Sequence, residues 1–77
     1  MSERSSFRKQ FSIKGVRFRS HVIKTSDGLW KIFSVGAVDM PTALLPFDIQ
    51  RVAMDLVRTP PFNTENQAKA ALLDADA

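Results

Sequence analysis

Apolar and polar residues alternate along residues 16–24, a pattern that predicts a half-buried β-strand. One side of this segment carries Val16, Phe18, Ser20 and Val22, and the other carries Arg17, Arg19 and His21. Before Gly15 the alternation has the opposite parity, which indicates a less regular strand over residues 8–13. A glycine at the change of parity indicates a turn or a bulge between the two strands.

Residues 25–28 carry the clearest turn signal of the chain, because Asp27-Gly28 suits positive φ angles and strand-forming residues flank it. A third strand is predicted over residues 29–38, closing a hairpin. Two registers are open. A two-residue loop would pair Val22 with Phe33 and Ile23 with Ile32. A loop one residue longer, with a bulge, would pair Val22 with Ile32 and Lys24 with Trp30.

The period of residues 47–58 favours a helix. At about 100° per residue, the four charged side chains occupy one arc and the apolar ones cluster opposite. As a strand, Arg51 and Asp55 would share a face with Ile49 and Val57, which is a poorer separation. Val52, Met54 and Leu56 do alternate. A further strand, followed by a single C-terminal helix, is therefore the alternative interpretation.

Pro60 and Pro61 end this element, since neither can donate a backbone hydrogen bond. Thr64 and Gln67 then match a capping box, which predicts a second helix over residues 65–74. The predicted fold class is α+β: an N-terminal antiparallel hairpin or three-stranded sheet, with two C-terminal helices covering its apolar face.

The chain has 77 residues, 44% of them apolar, and contains no cysteine. This length allows one small domain without disulfide or thiolate-metal support, so packing must hold the fold together. We expect a flexible tail at residues 1–6, a single domain over residues 7–74 and a frayed end at residues 75–77. Neither a signal peptide nor a membrane span is recognisable, and a cytoplasmic protein without membrane contact is expected.

Positive charge is concentrated at the N-terminal end. Residues 1–31 hold eight basic residues against two acidic ones, a formal charge of +6, whereas residues 32–77 hold three against six, a charge of −3. The eight bases are Arg4, Arg8, Lys9, Lys14, Arg17, Arg19, Lys24 and Lys31. A field of this sign favours association with phosphate groups or with an acidic protein surface.

Few side chains in the sequence could act as a catalytic nucleophile or base. His21 is the only histidine, and there is no cysteine or tyrosine. A nucleophile needs its base within hydrogen-bond reach, and only a cross-strand pair of His21 with Ser34 could provide this. No group of ligands has the spacing of a zinc or calcium site, and the three glycines stand singly. We therefore expect a non-enzymatic protein without a cofactor or metal.

Nucleic-acid binding, to DNA or RNA, is the leading functional hypothesis. Alternate strand residues stand about 6.5–7 Å apart, so the basic side of residues 16–24 would place charges at nearly the spacing of phosphates. Such contacts release counterions and depend little on sequence. The predicted interface consists of Arg8, Lys9, Lys14, Arg17, Arg19, His21, Lys24 and Lys31.

Two other interpretations compete with this hypothesis. Basic side chains are also common on solvated sheet faces, where they bind nothing and discourage aggregation. The chain could instead be a protein-interaction module, an inhibitor or an assembly subunit, that binds an acidic or apolar surface or a second copy of itself. The apolar run at residues 43–47 could serve that purpose or pack within the domain. Phe7, Phe11 and Phe18 could stack on bases, although a small domain needs aromatic residues in its core.

Overall fold

Residues 16–24 form the central strand of an antiparallel sheet in the computed structural model, which describes residues 5–75. Within that range the sheet consists of β1 (Ser6–Ile13), β2 (Val16–Lys24) and β3 (Trp30–Ala37), in the order β1-β2-β3. A 3₁₀ turn (Thr42–Leu44), α1 (Phe47–Arg58) and α2 (Glu65–Asp74) follow. The α+β prediction is confirmed. Residues 47–58 are a helix, so the alternative of a further strand is wrong.

The predicted tail and frayed end fall largely outside the described residues, which exclude residues 1–4 and 76–77. Within the predicted tail, Ser6 belongs to β1, and the Ser5 carbonyl accepts a 2.7 Å hydrogen bond from the Lys24 amide. The sheet therefore begins two residues before the predicted position.

Lys14 and Gly15 connect β1 to β2 in a two-residue turn. Both have positive φ angles, of 50° and 82°, and Ile13 pairs with Val16 across the turn. A two-residue hairpin loop with positive φ at both positions is a type I′ turn, whose twist matches that of the flanking strands. Glycine suits this geometry because it has no Cβ to clash at positive φ.

The second hairpin uses a longer loop. The Thr25 amide donates to the Leu29 carbonyl at 2.7 Å, and the Gly28 amide donates to the Thr25 carbonyl at 3.0 Å. Gly28 has a φ of 83°, so the loop is a turn followed by a bulged glycine. Val22 consequently pairs with Ile32, and Lys24 pairs with Trp30. The pairs next to the loop therefore follow the register predicted for the longer loop, whereas the pairs from His21–Ser34 onward follow the register of the two-residue loop.

The core lies between one face of the sheet and the two helices. α1 buries Ile49 and Ala53 against it, and α2 buries Ala68 and Leu72. The largest apolar side chains with less than 2% exposure are Phe18, Ile13, Ile32, Leu72 and Val22. Complete burial of a side chain of this kind stabilises the fold by about 1.5–3 kcal/mol relative to exposure. Alternation along β2 thus places its apolar side in the core and its basic side outside.

Hydrogen bonds stabilise the starts of both helices and the first residue of β3. The Gln50 Nε2 donates to the Leu45 carbonyl at 2.7 Å, tying α1 to the segment before it. In α2, Thr64 and Gln67 form the predicted capping box. Trp30 and Phe62 exchange backbone hydrogen bonds of 2.8 and 2.7 Å. This bridge protects one end of the β3 edge from pairing with another chain.

Candidate nucleic-acid interface

The sheet face turned away from the helices, here called the outer face, carries the basic side of β2. Cross-strand pairing arranges it in rows, because residues opposite one another in antiparallel strands share a face. The rows are Arg8, His21 and Ser34; Gln10, Arg19 and Gly36; and Ser12 with Arg17. Arg8, Arg17 and Arg19 are exposed, and His21 is half-buried. The outer face therefore unites four of the eight residues predicted for the interface.

Arg17 is neutralised on this face by Asp39, which follows β3. The Arg17 Nη2 donates to Oδ1 and Oδ2 of Asp39 at 2.8 and 3.0 Å, and Nε donates to Oδ2 at 3.1 Å. Both side chains are more than half exposed, so the pair adds little to stability. It does neutralise the charge of Arg17 and occupy two of its three nitrogens, Nε and Nη2, that would otherwise be available to a phosphate.

Arg8 and Arg19 have no carboxylate partner among residues 5–75. Together with His21 they border a shallow depression of about 470 Å³ whose other side is formed by residues 34–38 of β3 and its end. Gly36 lies opposite Arg19, and a Cβ added there would meet no atom within 4 Å. The unpaired positive charge of the outer face is thus gathered around one concave site.

Phe33 lies beside this site. The register shifts between His21 and Val22, so that His21 pairs with Ser34 while Val22 pairs with Ile32, and Phe33 is the extra residue of a bulge. Its side chain is 60% exposed, and its ring stands edge-on to the His21 ring at 6.2 Å between centroids. An exposed aromatic next to basic groups is typical of surfaces that stack on bases.

The aromatic residues predicted as stacking candidates lie elsewhere. Phe11 and Phe18 are buried in the core, 6% and 0% exposed, and Phe7 is half-buried with its ring 5.7 Å from that of Trp30. The sequence did not identify Phe33 as a stacking candidate because it left the hairpin register open, and in the shorter-loop register Phe33 pairs with the core residue Val22. The one signal for it was the longer-loop register, in which Phe33 no longer pairs with Val22.

The other four predicted interface residues do not join the outer-face site. Lys14, in the β1–β2 turn, places its Nζ 2.6 Å from Oδ2 of Asp48 on α1. This hydrogen bond lowers the pKa of the Asp48 carboxyl below its ordinary value. Lys9 stands opposite the buried Ser20, on the helix side of the β1 edge.

Lys31 and Lys24 are also used within the fold. The Lys31 Nζ donates to the carbonyls of Val57 and Thr59, the latter at 2.6 Å, at the C-terminal end of α1. A cation is favourable there because the last carbonyls of a helix carry partial negative charge. The Lys24 Nζ lies 6.0 Å from the Trp30 ring centroid, on the helix side of the sheet. The predicted eight-residue surface is therefore divided between two faces.

Other kinds of site find little support in the described part of the chain. No group of three or more His, Asp or Glu side chains among residues 5–75 could hold a metal ion. His21 and Ser34 are cross-strand partners, but no hydrogen bond joins their side chains. Neither α1 nor α2 has the length and apolar character needed to cross a membrane.

The apolar run at residues 43–47 is buried in part and exposed in part. Leu45 is buried at 6% exposure, whereas Leu44 and Phe47 are 74% and 86% exposed. Met54, two turns after Phe47 on α1, is 50% exposed. Phe47 and Met54 border a second depression, together with the basic residues Arg51 and Arg58. Asp55 also lines this depression, so the outward side of α1 combines apolar residues with two basic residues and one acidic residue.

No protein-family model, curated protein or solved structure matches the chain.

Proposed function

We propose that this protein is a small non-enzymatic binding module whose outer sheet face contacts nucleic acid through phosphate groups, in the cytoplasm. The observation that carries the proposal is the pair Arg8 and Arg19, exposed and without carboxylate partners in residues 5–75. Guanidinium groups match phosphate oxygens with two parallel donors and keep their charge at every physiological pH.

The positions of these basic side chains on the sheet support the same proposal. Arg19 and His21 alternate along β2, so their Cα atoms stand about 6.5–7 Å apart, and Arg8 lies across from His21 on β1. The strands fix the backbone positions of these groups, so binding has to order only their exposed side chains. A phosphate chain can therefore follow the outer face and meet Arg8 and Arg19 in turn, each contact releasing counterions.

Fluorescence anisotropy with labelled DNA and RNA at low salt tests the proposal. We expect wild-type protein to bind at tens of micromolar or below. Replacing both arginines, Arg8→Gln with Arg19→Gln, should weaken binding at least tenfold and reduce the slope of log affinity against log salt by about 2, one unit for each lost phosphate contact.

The matched control is Arg51→Gln with Arg58→Gln, which removes the same charge from the exposed side of α1. It should lower the affinity less than threefold. Equal losses in the two double variants would mean that net charge, and not the outer face, is recognised. No binding by wild-type protein would refute the proposal.

A second candidate function is a protein-interaction module that uses the outward side of α1. Exposed Phe47 and Met54 form an apolar surface with two arginines and one aspartate, Arg51, Arg58 and Asp55, at its rim. This rim is net basic and fits a partner with apolar and acidic side chains. Capture from nuclease-treated lysate should yield a stoichiometric protein that Phe47→Ser with Met54→Ser loses. Light scattering after size exclusion separates a heterologous partner from a second copy of the chain.

A further inference from the structure

The depression beside Gly36 has features that phosphate binding alone does not use. It is concave, with a volume of about 470 Å³, and its β3 side is formed by residues 34–38, which include Ser34, Gly36 and the exposed Val38. A surface that met only phosphates would need charge but no recess. Recesses of several hundred Å³ with a few polar groups at their border are typical of sites for small ligands.

Gly36 lines this recess and contributes no side chain to fill it. Gly36 has no positive φ angle and a Cβ there would enter open space, so neither strain nor crowding requires glycine. Glycine in a strand costs stability and often marks a place where a ligand approaches the backbone closely. The adjoining residues Arg19 and His21 offer a guanidinium plane and an imidazole ring, both of which stack on bases.

We propose that the depression at Gly36 binds one unpaired nucleobase, so that the outer face prefers single-stranded nucleic acid to a duplex. This inference rests on the proposed function and names its ligand class. Arg8 and Arg19 hold the flanking phosphates, the base enters over Gly36 beside Arg19, and the next base along the strand stacks on Phe33. The Ser34 hydroxyl, exposed on the same face, faces the edge of the bound base.

Base pairing would exclude this mode of binding. In a duplex the bases are stacked inside and the backbone is outside, so a shallow recess on a flat sheet can reach only phosphates. A single strand presents its bases as well, and each base stacked on a side chain contributes affinity beyond the electrostatic part. The preference for single strands should therefore persist at salt concentrations that weaken phosphate contacts.

The test compares labelled oligothymidylate, oligouridylate and a duplex of equal length as anisotropy probes. We expect wild-type protein to bind the single strands about tenfold more tightly than the duplex, one stacked base being sufficient for such a ratio. Gly36→Val fills the recess without changing charge and suits a strand. It should weaken single-strand binding about tenfold and change duplex binding less than twofold.

Two further variants make the test specific. Gln10→Val places the same side chain in the same cross-strand row but on β1, away from the recess, and should leave both affinities unchanged. Phe33→Leu removes the ring while keeping an apolar side chain, and should weaken single-strand binding about fivefold without affecting the duplex. Thermal unfolding of each variant shows that it is folded before binding is measured.

The outcomes separate the two proposals. Equal affinity for single strands and duplex, or an unchanged single-strand affinity in Gly36→Val, would overturn the nucleobase site while leaving the proposed phosphate contacts intact. Absence of wild-type binding to all three probes would overturn the proposed function itself. Tighter binding of the RNA probe than of the DNA probe, or the reverse, would identify which kind of single strand the recess accepts.

Discussion

Asp39 forms an ion pair with the guanidinium of Arg17 on the outer face. Arg19, the next outward residue of β2, has no carboxylate partner in residues 5–75. Two arginines that are equivalent in the sequence pattern thus differ in their availability to phosphate. The difference arises because the end of β3 crosses close to Arg17, where the Val38 amide donates to the Arg17 carbonyl at 3.0 Å. Asp39 is the residue that follows.

This difference predicts unequal effects of two identical substitutions. Arg19→Gln should weaken nucleic-acid binding about threefold to tenfold, because it removes an available phosphate contact. Arg17→Gln should weaken it less than twofold, since Asp39 already neutralises the Arg17 charge and accepts hydrogen bonds from its Nε and Nη2. Anisotropy titrations at two salt concentrations measure both effects. Equal losses would mean that the ion pair opens when the ligand binds.

Asp39→Asn provides the converse measurement. Removal of the carboxylate frees Arg17, so binding should become tighter and the salt dependence steeper by about one phosphate contact. The cost to stability should stay below about 1 kcal/mol, because the ion pair is exposed to solvent. Weaker binding of Asp39→Asn would show that the pair positions a group the ligand needs.

Lys31 should affect stability and not binding. Its Nζ donates to carbonyls at the end of α1, so Lys31→Met should lower the free energy of unfolding by about 1–2 kcal/mol. Its nucleic-acid affinity should remain within twofold of wild type. Arg8→Gln should show the opposite pattern, with weaker binding and a free energy of unfolding changed by less than about 0.5 kcal/mol. Urea unfolding measures the stability of both variants, and fluorescence anisotropy measures their nucleic-acid affinity.

The secondary structure could be predicted because local rules and burial agree along most of the chain. In residues 47–58 only a helical period separates Arg51 and Asp55 from the apolar side, and packing against the sheet favours the same separation. The capping box of Thr64 and Gln67 predicts the start of α2 from two side chains alone. The hairpin register could not be predicted, because the number of loop residues depends on whether Gly28 is counted in the turn or in a bulge.

The candidate site was less accessible to prediction, because it depends on contacts between residues distant in sequence. Arg17 and Asp39 are separated by 22 positions, and Lys14 and Asp48 by 34. Alternation identifies which side of β2 is basic, but it contains no information on which bases have carboxylate neighbours. The outward position of Phe33 depends on the hairpin register, which the sequence left open between two loop lengths. The basic side of β2 could therefore be predicted from the sequence. Which residues of β1 and β3 join it on the outer face, and which of its bases are paired with carboxylates, could not.

Ser20 is a polar residue in the core, and removing its hydroxyl should stabilise the fold. It is completely buried on the central strand, and its Oγ has no hydrogen-bond partner among the described residues. A buried, unsatisfied hydroxyl costs about 1–3 kcal/mol. Ser20→Ala should raise the free energy of unfolding by about 1 kcal/mol, after the small loss of packing. For a domain of this size the melting temperature should rise by about 4–8 °C.

Ser34→Ala is the matched control, because Ser34 is exposed on the outer face and the same atom is removed there. Its melting temperature should stay within about 2 °C of wild type, since surface substitutions of this kind change stability little. A lower melting temperature of Ser20→Ala would show that the hydroxyl has a partner in solution and stabilises the sheet.

The ion pair of Lys14 and Asp48 gives the fold a dependence on acid pH. A hydrogen bond from the Lys14 ammonium lowers the pKa of Asp48 from its ordinary value of 3.8. A carboxyl whose pKa is lower in the folded than in the unfolded state stabilises the fold above its unfolded pKa. That contribution is lost as the pH falls through the folded pKa. The pair therefore acts at neutral pH and weakens only in the acid range.

Lys14→Gln should consequently raise the pKa of Asp48 toward 3.8, as measured by carboxyl-carbon NMR titration. The same substitution should make the free energy of unfolding less dependent on pH below about pH 4. Lys69→Gln removes a lysine that pairs with Glu65 on α2, at 3.2 Å, and should leave the pKa of Asp48 unchanged. If Lys14→Gln leaves the Asp48 pKa low, the helix start at Phe47 and not the lysine is responsible for the shift.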